Sequence, residues 1–225
     1  LVGSERCIRD RLLAAPFIAV FLLLSFWKNS TENYYSEIMK NDLTEGRMAF
    51  EKQLDIMCAG AFSVSNDSYF KWVYFLDGLK DGDNNIAALI RCNDMLRQTF
   101  ADSEHYQNYS VIMKNELIFR KSGMVVGDKF FYDNYCTYQN TDFETWRKQS
   151  FESNTWQLFP LEEIDTGERT FQAMTFSYPV RNYIQQEPEA NAVVQFLLSK
   201  ENLEQMFGQL LSRQGGILIY DAEDR

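Results

Sequence analysis

Nucleophilic or acid–base chemistry in this chain would have to be built from one histidine, four cysteines and a few clustered acids. His105 lies in DSEHYQN with no serine or cysteine nucleophile motif around it, and reads as a solvated loop histidine. Glu162, Glu163 and Asp165 supply carboxylates. Acids this close together in one loop do not face each other across a cleft as a glycosidase pair must, so a solvated acidic loop over Leu161–Glu168 is expected. The DGDNN run from Asp81 would need a glycine at its sixth position and a glutamate at its twelfth to close a calcium loop, but Ile86 and Cys92 stand there. The cysteines at positions 7, 58, 92 and 136 form no CxxC and no zinc spacing. Buried free thiols fit that scatter better than a disulfide framework, while a Cys58–Cys92 bridge between two helices stays open. Gly215-Gly216 precedes a strand where a phosphate loop would need a helix start. No catalytic residue, metal ligand or cofactor is assigned, and the chain is expected not to be an enzyme.

Binding chemistry remains. Tyr132, Tyr135, Trp146 and Trp156, with Arg147 as a charge contact, gather flat rings with polar edges of the kind that suit sugars and small organic ligands. Each tryptophan has a competing reading as core, since an indole readily fills a helix–sheet interface. The two tyrosines compete as surface-edge residues.

The elements that must position these residues follow from pattern. Leu43, Phe50, Leu54, Met57 and Ala61 recur at steps of seven, four, three and four, the seam of a long helix over Thr31–Asn66. After Phe50 the seam is expected to pack on its own domain; before it, where Arg47 interrupts, a homodimer partner and solvent are both open. A second helix is expected over Ile86–Phe100, with Ile86, Leu89, Ile90, Leu96 and Phe100 on one face and Asp83, Asn84 or Asn85 as cap. Ser110–Arg120 reads as one strand returning through Lys121–Gly123 into Met124–Val126. The state of Asp128–Tyr138 is left open. A short helix capped by Thr141 or Asp142 runs to Phe151, Thr170–Pro179 and Ala190–Ser199 are strands, Asn202–Leu211 is a helix, and Gly215–Asp221 is a short strand.

Ahead of all this stands Leu12–Trp27, sixteen residues without a charge. As a helix it spans roughly 24 Å, slightly short of the ~30 Å hydrocarbon core. An uncleaved membrane anchor is the favoured reading; a signal peptide lacks a small-x-small cleavage site after the run, and a buried core helix would not be set before so polar a stretch. Arg6, Arg9 and Arg11 precede the run and Lys28 follows, which puts the amino end inside and the remainder outside the cytoplasm. Residues 1–11 look like the lead of a translated fragment and are set aside. A formal net charge of −10 argues against nucleic acid and anionic lipid heads as partners.

Taken in order, SVIMKNELIFRKSGMVV, FETWRKQSF, TFSYPV, NAVVQFLLSKENLEQMF and GGILIYDAEDR resemble the double Cache sensor domain over most of residues 31–225. The likeness is nearest to the extracytoplasmic front half of membrane-bound bacterial AraC-type helix-turn-helix regulators, and it extends to sensor histidine kinases. The resemblance implies an α+β fold, a long N-terminal helix continuing from a membrane anchor and packed on an antiparallel PAS-like (Cache) sheet with flanking short helices. It implies residues 31–213 as the long helix plus a membrane-distal module that senses a small molecule, and 214–225 as the first strand of a cut-off membrane-proximal module, with no output domain. The amino-acid-binding subset carries an arginine two residues before a tryptophan. Here Glu144 and Thr145 precede Trp146 and Arg147 follows it, so no amino-acid ligand is implied. A second class of reading, a secreted or membrane-anchored adhesion protein, is kept open by sequons at Asn29, Asn66 and Asn108.

Overall fold

The computed structural model describes residues 2–73, 82–100, 106, 108–180 and 190–207, and the side chains among them except those of 2–19, 72 and 82–85. Leu1, the side chains of the rest of the lead, the cap side chains at 83–85, His105, the Arg181–Glu189 loop and the strand expected at 214–225 lie outside the described residues. Two compact units are distinguished, Leu1–Arg47 with Phe207–Arg225, and Met48–Met206.

In the first unit the described chain is almost wholly helix α1, Val2–Asn66, which continues into the second. Its apolar run exposes Val20, Phe21, Leu22, Leu23, Leu24, Phe26 and Trp27, each at least half exposed. No helix among the described residues is long and apolar enough to cross a membrane. The run Leu12–Trp27 straddles the limit of the described side chains, and its described half is not a core helix.

The second unit is α+β. Past Met48, α1 buries Phe50, Gln53, Met57, Ala61 and Val64. The expected seam holds after Phe50, whereas Leu43 is exposed and Leu54 only half-buried. Helices α2 (Ser68–Val73) and α3 (Gly82–Thr99) follow. The face of α3 is turned from the expected one: Ala88, Leu89, Cys92 and Leu96 are buried while Ile86 and Ile90 stand exposed. Cys58, Cys92 and Cys136 are free thiols.

Seven strands form one curled antiparallel sheet in the order β3-β2-β1-β7-β6-β5-β4. They are β1 (Asn108–Met113), β2 (Leu117–Arg120), β3 (Gly123–Val126), β4 (Thr137–Tyr138), β5 (Gln157–Asp165), β6 (Thr170–Val180) and β7 (Ala192–Ser199). Helices α4 (Asp128–Tyr135), α5 (Phe143–Glu152) and α6 (Lys200–Phe207) complete it. Two expectations are corrected. The single strand Ser110–Arg120 is two strands, because Lys114–Glu116 makes a tight turn with Glu116 at φ 66°. The acidic loop from Leu161 begins instead as strand, with Glu162–Asp165 paired to β6 down to Thr170. The aromatic stretch left open, Asp128–Tyr138, is α4 followed by β4.

Central β7 is buried along all eight residues, with Val193, Val194, Phe196 and Leu198 fully enclosed. A strand covered on both faces reads as a nearly continuous apolar run, and each such side chain contributes about 1.5–3 kcal/mol of burial. The face toward the long helices is aromatic: Phe100 rings meet Phe196 at 5.2 Å and Tyr109 at 4.6 Å, and Phe70 meets Phe119 at 5.4 Å. On the opposite face Ile112, Ile118, Ile164, Ala173 and Leu197 pack under Phe131, Tyr132 and Trp146 from α4 and α5.

Candidate ligand-binding site

Side chains alternate across a strand, so β6 and β7 present one set to each face. The set facing the long helices is Phe176, Val194, Phe196 and Leu198. The set facing α5 includes Thr175, Ser177 and Gln195, all at most 3% exposed. Polar groups are rarely enclosed in a sheet floor without a use for them, because each costs free energy unless it is hydrogen-bonded.

Above that floor lies a cavity of about 130 Å³, bounded by Trp146, Gln149 and Ser150 of α5, Tyr138 of β4, Phe159, Pro160 and Glu162 of β5, and Gln195 of β7. Its polar groups are held by a chain of hydrogen bonds. The Ser150 hydroxyl donates to the Trp146 carbonyl (2.7 Å), which leaves Ser150 Oγ only as an acceptor. Gln195 therefore turns its Nε2 toward Ser150 (2.9 Å), and its Oε1 is left buried with no hydrogen-bond partner among the described residues. Trp146 Nε1 is likewise buried and unpartnered. Both atoms are shielded from solvent by the packing of α5 on the sheet. Tyr138 shares a 3.0 Å hydrogen bond with Thr175, and its burial keeps the phenol protonated by raising its pKa well above the ordinary value.

The carboxylate of the site is placed by an irregular strand. Phe159 pairs with Thr175 and Glu162 with Ala173, so three steps along β5 oppose two along β6. This one-residue bulge holds Pro160, which has no N–H to give a ladder. It sets Glu162 at the cavity, where Oε1 accepts from the Asn140 N–H (2.9 Å) and Oε2 from the Thr141 hydroxyl (3.3 Å). Opposite, α5 starts at Asp142, whose side chain accepts from the Thr145 N–H at 2.7 Å. Among the described residues no group of three or more His, Cys, Asp or Glu could hold a metal ion.

Of the five residues singled out from sequence, the structure brings one into the cavity wall, Trp146. Tyr132 lies behind it in the core, 5.4 Å ring to ring, with its hydroxyl on the Thr141 carbonyl. Tyr135 is half-buried elsewhere, under the Arg120 guanidinium at 3.8 Å. Arg147 pairs with Asp128 of α4. Trp156 sits 44% exposed against Phe176, on the other face of the sheet. Tyr138, Ser150, Glu162 and Gln195 were missed. Only Gln195 left a signal, as the one polar residue inside AVVQFLL.

No family model and no curated protein matches the chain. Among solved structures it is similar to the periplasmic sensory domain of the Campylobacter jejuni chemoreceptor Tlp1, at 11% identity and a TM-score of 0.45, over 83% of this chain and 65% of that one. The chain thus spans 65% of the length of the domain it matches.

Proposed function

We propose that this chain is the extracytoplasmic small-molecule-sensing region of a bacterial membrane-bound signal transducer or transcription regulator, a receptor module without chemistry of its own. The observation that carries the reading is the cavity of about 130 Å³ on α5, lined by the polar residues Tyr138, Gln149, Ser150, Glu162 and Gln195 beside Trp146 and Phe159. A built cavity with convergent polar groups is the ordinary form of a small-molecule site. Its described lining holds one carboxylate and no histidine, cysteine or lysine, a set suited to holding a ligand and poorly suited to moving protons. The uncharged run Leu12–Trp27 lies within α1, and its large apolar side chains from Val20 to Trp27 are exposed, which is compatible with an apolar environment around them.

The full chain is expected in the washed membrane fraction of expressing cells. Solubilised from it, the chain should melt several degrees higher with at least one member of a panel of small sugars, organic acids, amides and amines. Gln149 is exposed and lines the cavity, so Gln149→Trp should plug its mouth, leave the fold intact and abolish that rise. A panel without effect, or a rise that Gln149→Trp leaves untouched, contradicts the proposal.

A further inference from the structure

We infer that Arg120 heads a second site, separate from the cavity on α5, which takes the carboxylate of a small organic acid by displacing the side chain of Glu168. Arg120 is 8% exposed, yet its guanidinium donates no hydrogen bond among the described residues. It lies on the Tyr135 ring at 3.8 Å, and its ion pair with Glu168 Oε1, at 3.7 Å, is too long for a hydrogen bond. A guanidinium carries five N–H donors, and enclosing them unpaired costs free energy. None of its nitrogens is among the unpartnered atoms sealed from solvent, so the fork keeps an opening.

Strand register brings further donors to it. Ser110 of β1 stands directly across from Arg120 of β2, and Asn108 lies two residues along β1 on the same face. Together they line a cavity of about 10 Å³ bounded by Phe131, Tyr135 and Cys136, room for about one water-sized group. The Ser110 hydroxyl and the Asn108 amide make no side-chain hydrogen bond among the described residues, and neither is sealed from solvent. No acid lines this cavity, and burial pushes the Cys136 thiol up to about 12, which keeps it neutral. The wall offers a cation and two hydrogen-bond donors without a counter-charge of its own.

The counter-charge comes from outside. Glu168 lies in the turn between β5 and β6 with its side chain 77% exposed, so it reaches the guanidinium from solvent and marks the way in. A pair this exposed contributes little and is readily given up. A ligand carboxylate gains what Glu168 lacks at 3.7 Å, two parallel hydrogen bonds along the guanidinium edge that the Tyr135 ring leaves uncovered. One oxygen then fills the cavity beside Ser110 and Asn108, and the other takes the place of the Glu168 carboxylate. A neutral amide of the same shape forgoes the charge.

Acetate, acetamide and inorganic phosphate separate these requirements. In a ¹H–¹⁵N spectrum of the full chain in detergent micelles, the Arg120 Nε–H signal, assigned by Arg120→Lys, should shift saturably with acetate. Acetamide should bind about tenfold or more weaker, and phosphate weaker than acetate. Glu168→Gln should tighten acetate by about two- to fivefold, the weight of an exposed ion pair, and Ser110→Ala should loosen it. Gln149→Trp, at the other cavity, should change nothing. If Ser110→Ala fails to fold, the ranking of the three probes and the effect of Glu168→Gln decide. Acetamide or phosphate binding as tightly as acetate, no saturable shift, or an acetate affinity that Glu168→Gln leaves unchanged or lowers overturns the assignment. A melting-temperature rise given by organic acids alone and untouched by Gln149→Trp belongs to this site, and the sensing reading above is then judged on the other members of its panel.

Discussion

Asp142 shows how one exposed side chain supports the site. Its carboxylate caps α5, the helix that carries Trp146 and Ser150, and the hydrogen bonds from Thr145 hold its pKa below the ordinary carboxyl value. A carboxyl whose folded pKa is lowered stabilises the fold above its unfolded pKa and loses that contribution as pH falls through the folded value. Asp142→Ala should therefore lower the melting temperature at neutral pH, and Asp142→Asn, which caps nearly as well, should lower it less. The gap between the original chain and Asp142→Asn should close as pH drops below about 4; a gap constant over pH 3–7 in thermal melts would contradict this origin. At this scale the burial of Trp146 between α5 and the sheet was legible as its competing core reading, since an indole readily fills a helix–sheet interface. Gln195, Ser150 and Glu162 were not, since a glutamine becomes a cavity floor only when strand pairing fixes which face it occupies, and neither Ser150 nor Glu162 carries any mark of its partner.

The elements that frame the cavity were legible to unequal degrees. β7 and α5 could be read because a strand buried on both faces and a capped amphipathic turn are local patterns. The β1–β2 turn at Lys114–Glu116 and the bulge at Pro160 could not, because each interrupts an otherwise unbroken alternation and is settled by a neighbouring strand. On the other face, α1 approaches through Gly60. A methyl added there would lie 2.5 Å from Phe100 Cε1, and that ring is hemmed in by Tyr106, Tyr109 and Phe196. In an exposed helix Gly→Ala gains up to about 1 kcal/mol. Here the sign should reverse, with Gly60→Ala costing about 1–3 kcal/mol through overpacking, read from urea denaturation. A stabilised variant would mean that α1 is not seated on Phe100 as described.

At the scale of the whole molecule, one side of the sheet is closed by aromatic packing and the other is kept partly polar and partly open. The long helix was legible from periodicity and length, whereas the antiparallel sheet entered only as what the resemblance implied. The cavity arises only where α5, the bulged β5 and β7 meet, residues far apart in sequence, and no single segment announces it. The chain has four tryptophans, so a ¹H–¹⁵N spectrum of the full chain in detergent micelles contains four indole signals, with that of Trp146 assigned by Trp146→Phe. Titration with the panel of small sugars, organic acids, amides and amines tests the cavity directly. The account predicts a saturable displacement of the Trp146 signal by at least one compound, with Trp156, across the sheet, left in place. A Trp146 signal that no compound moves, or that stays fixed while a bound compound moves Trp156, would contradict it.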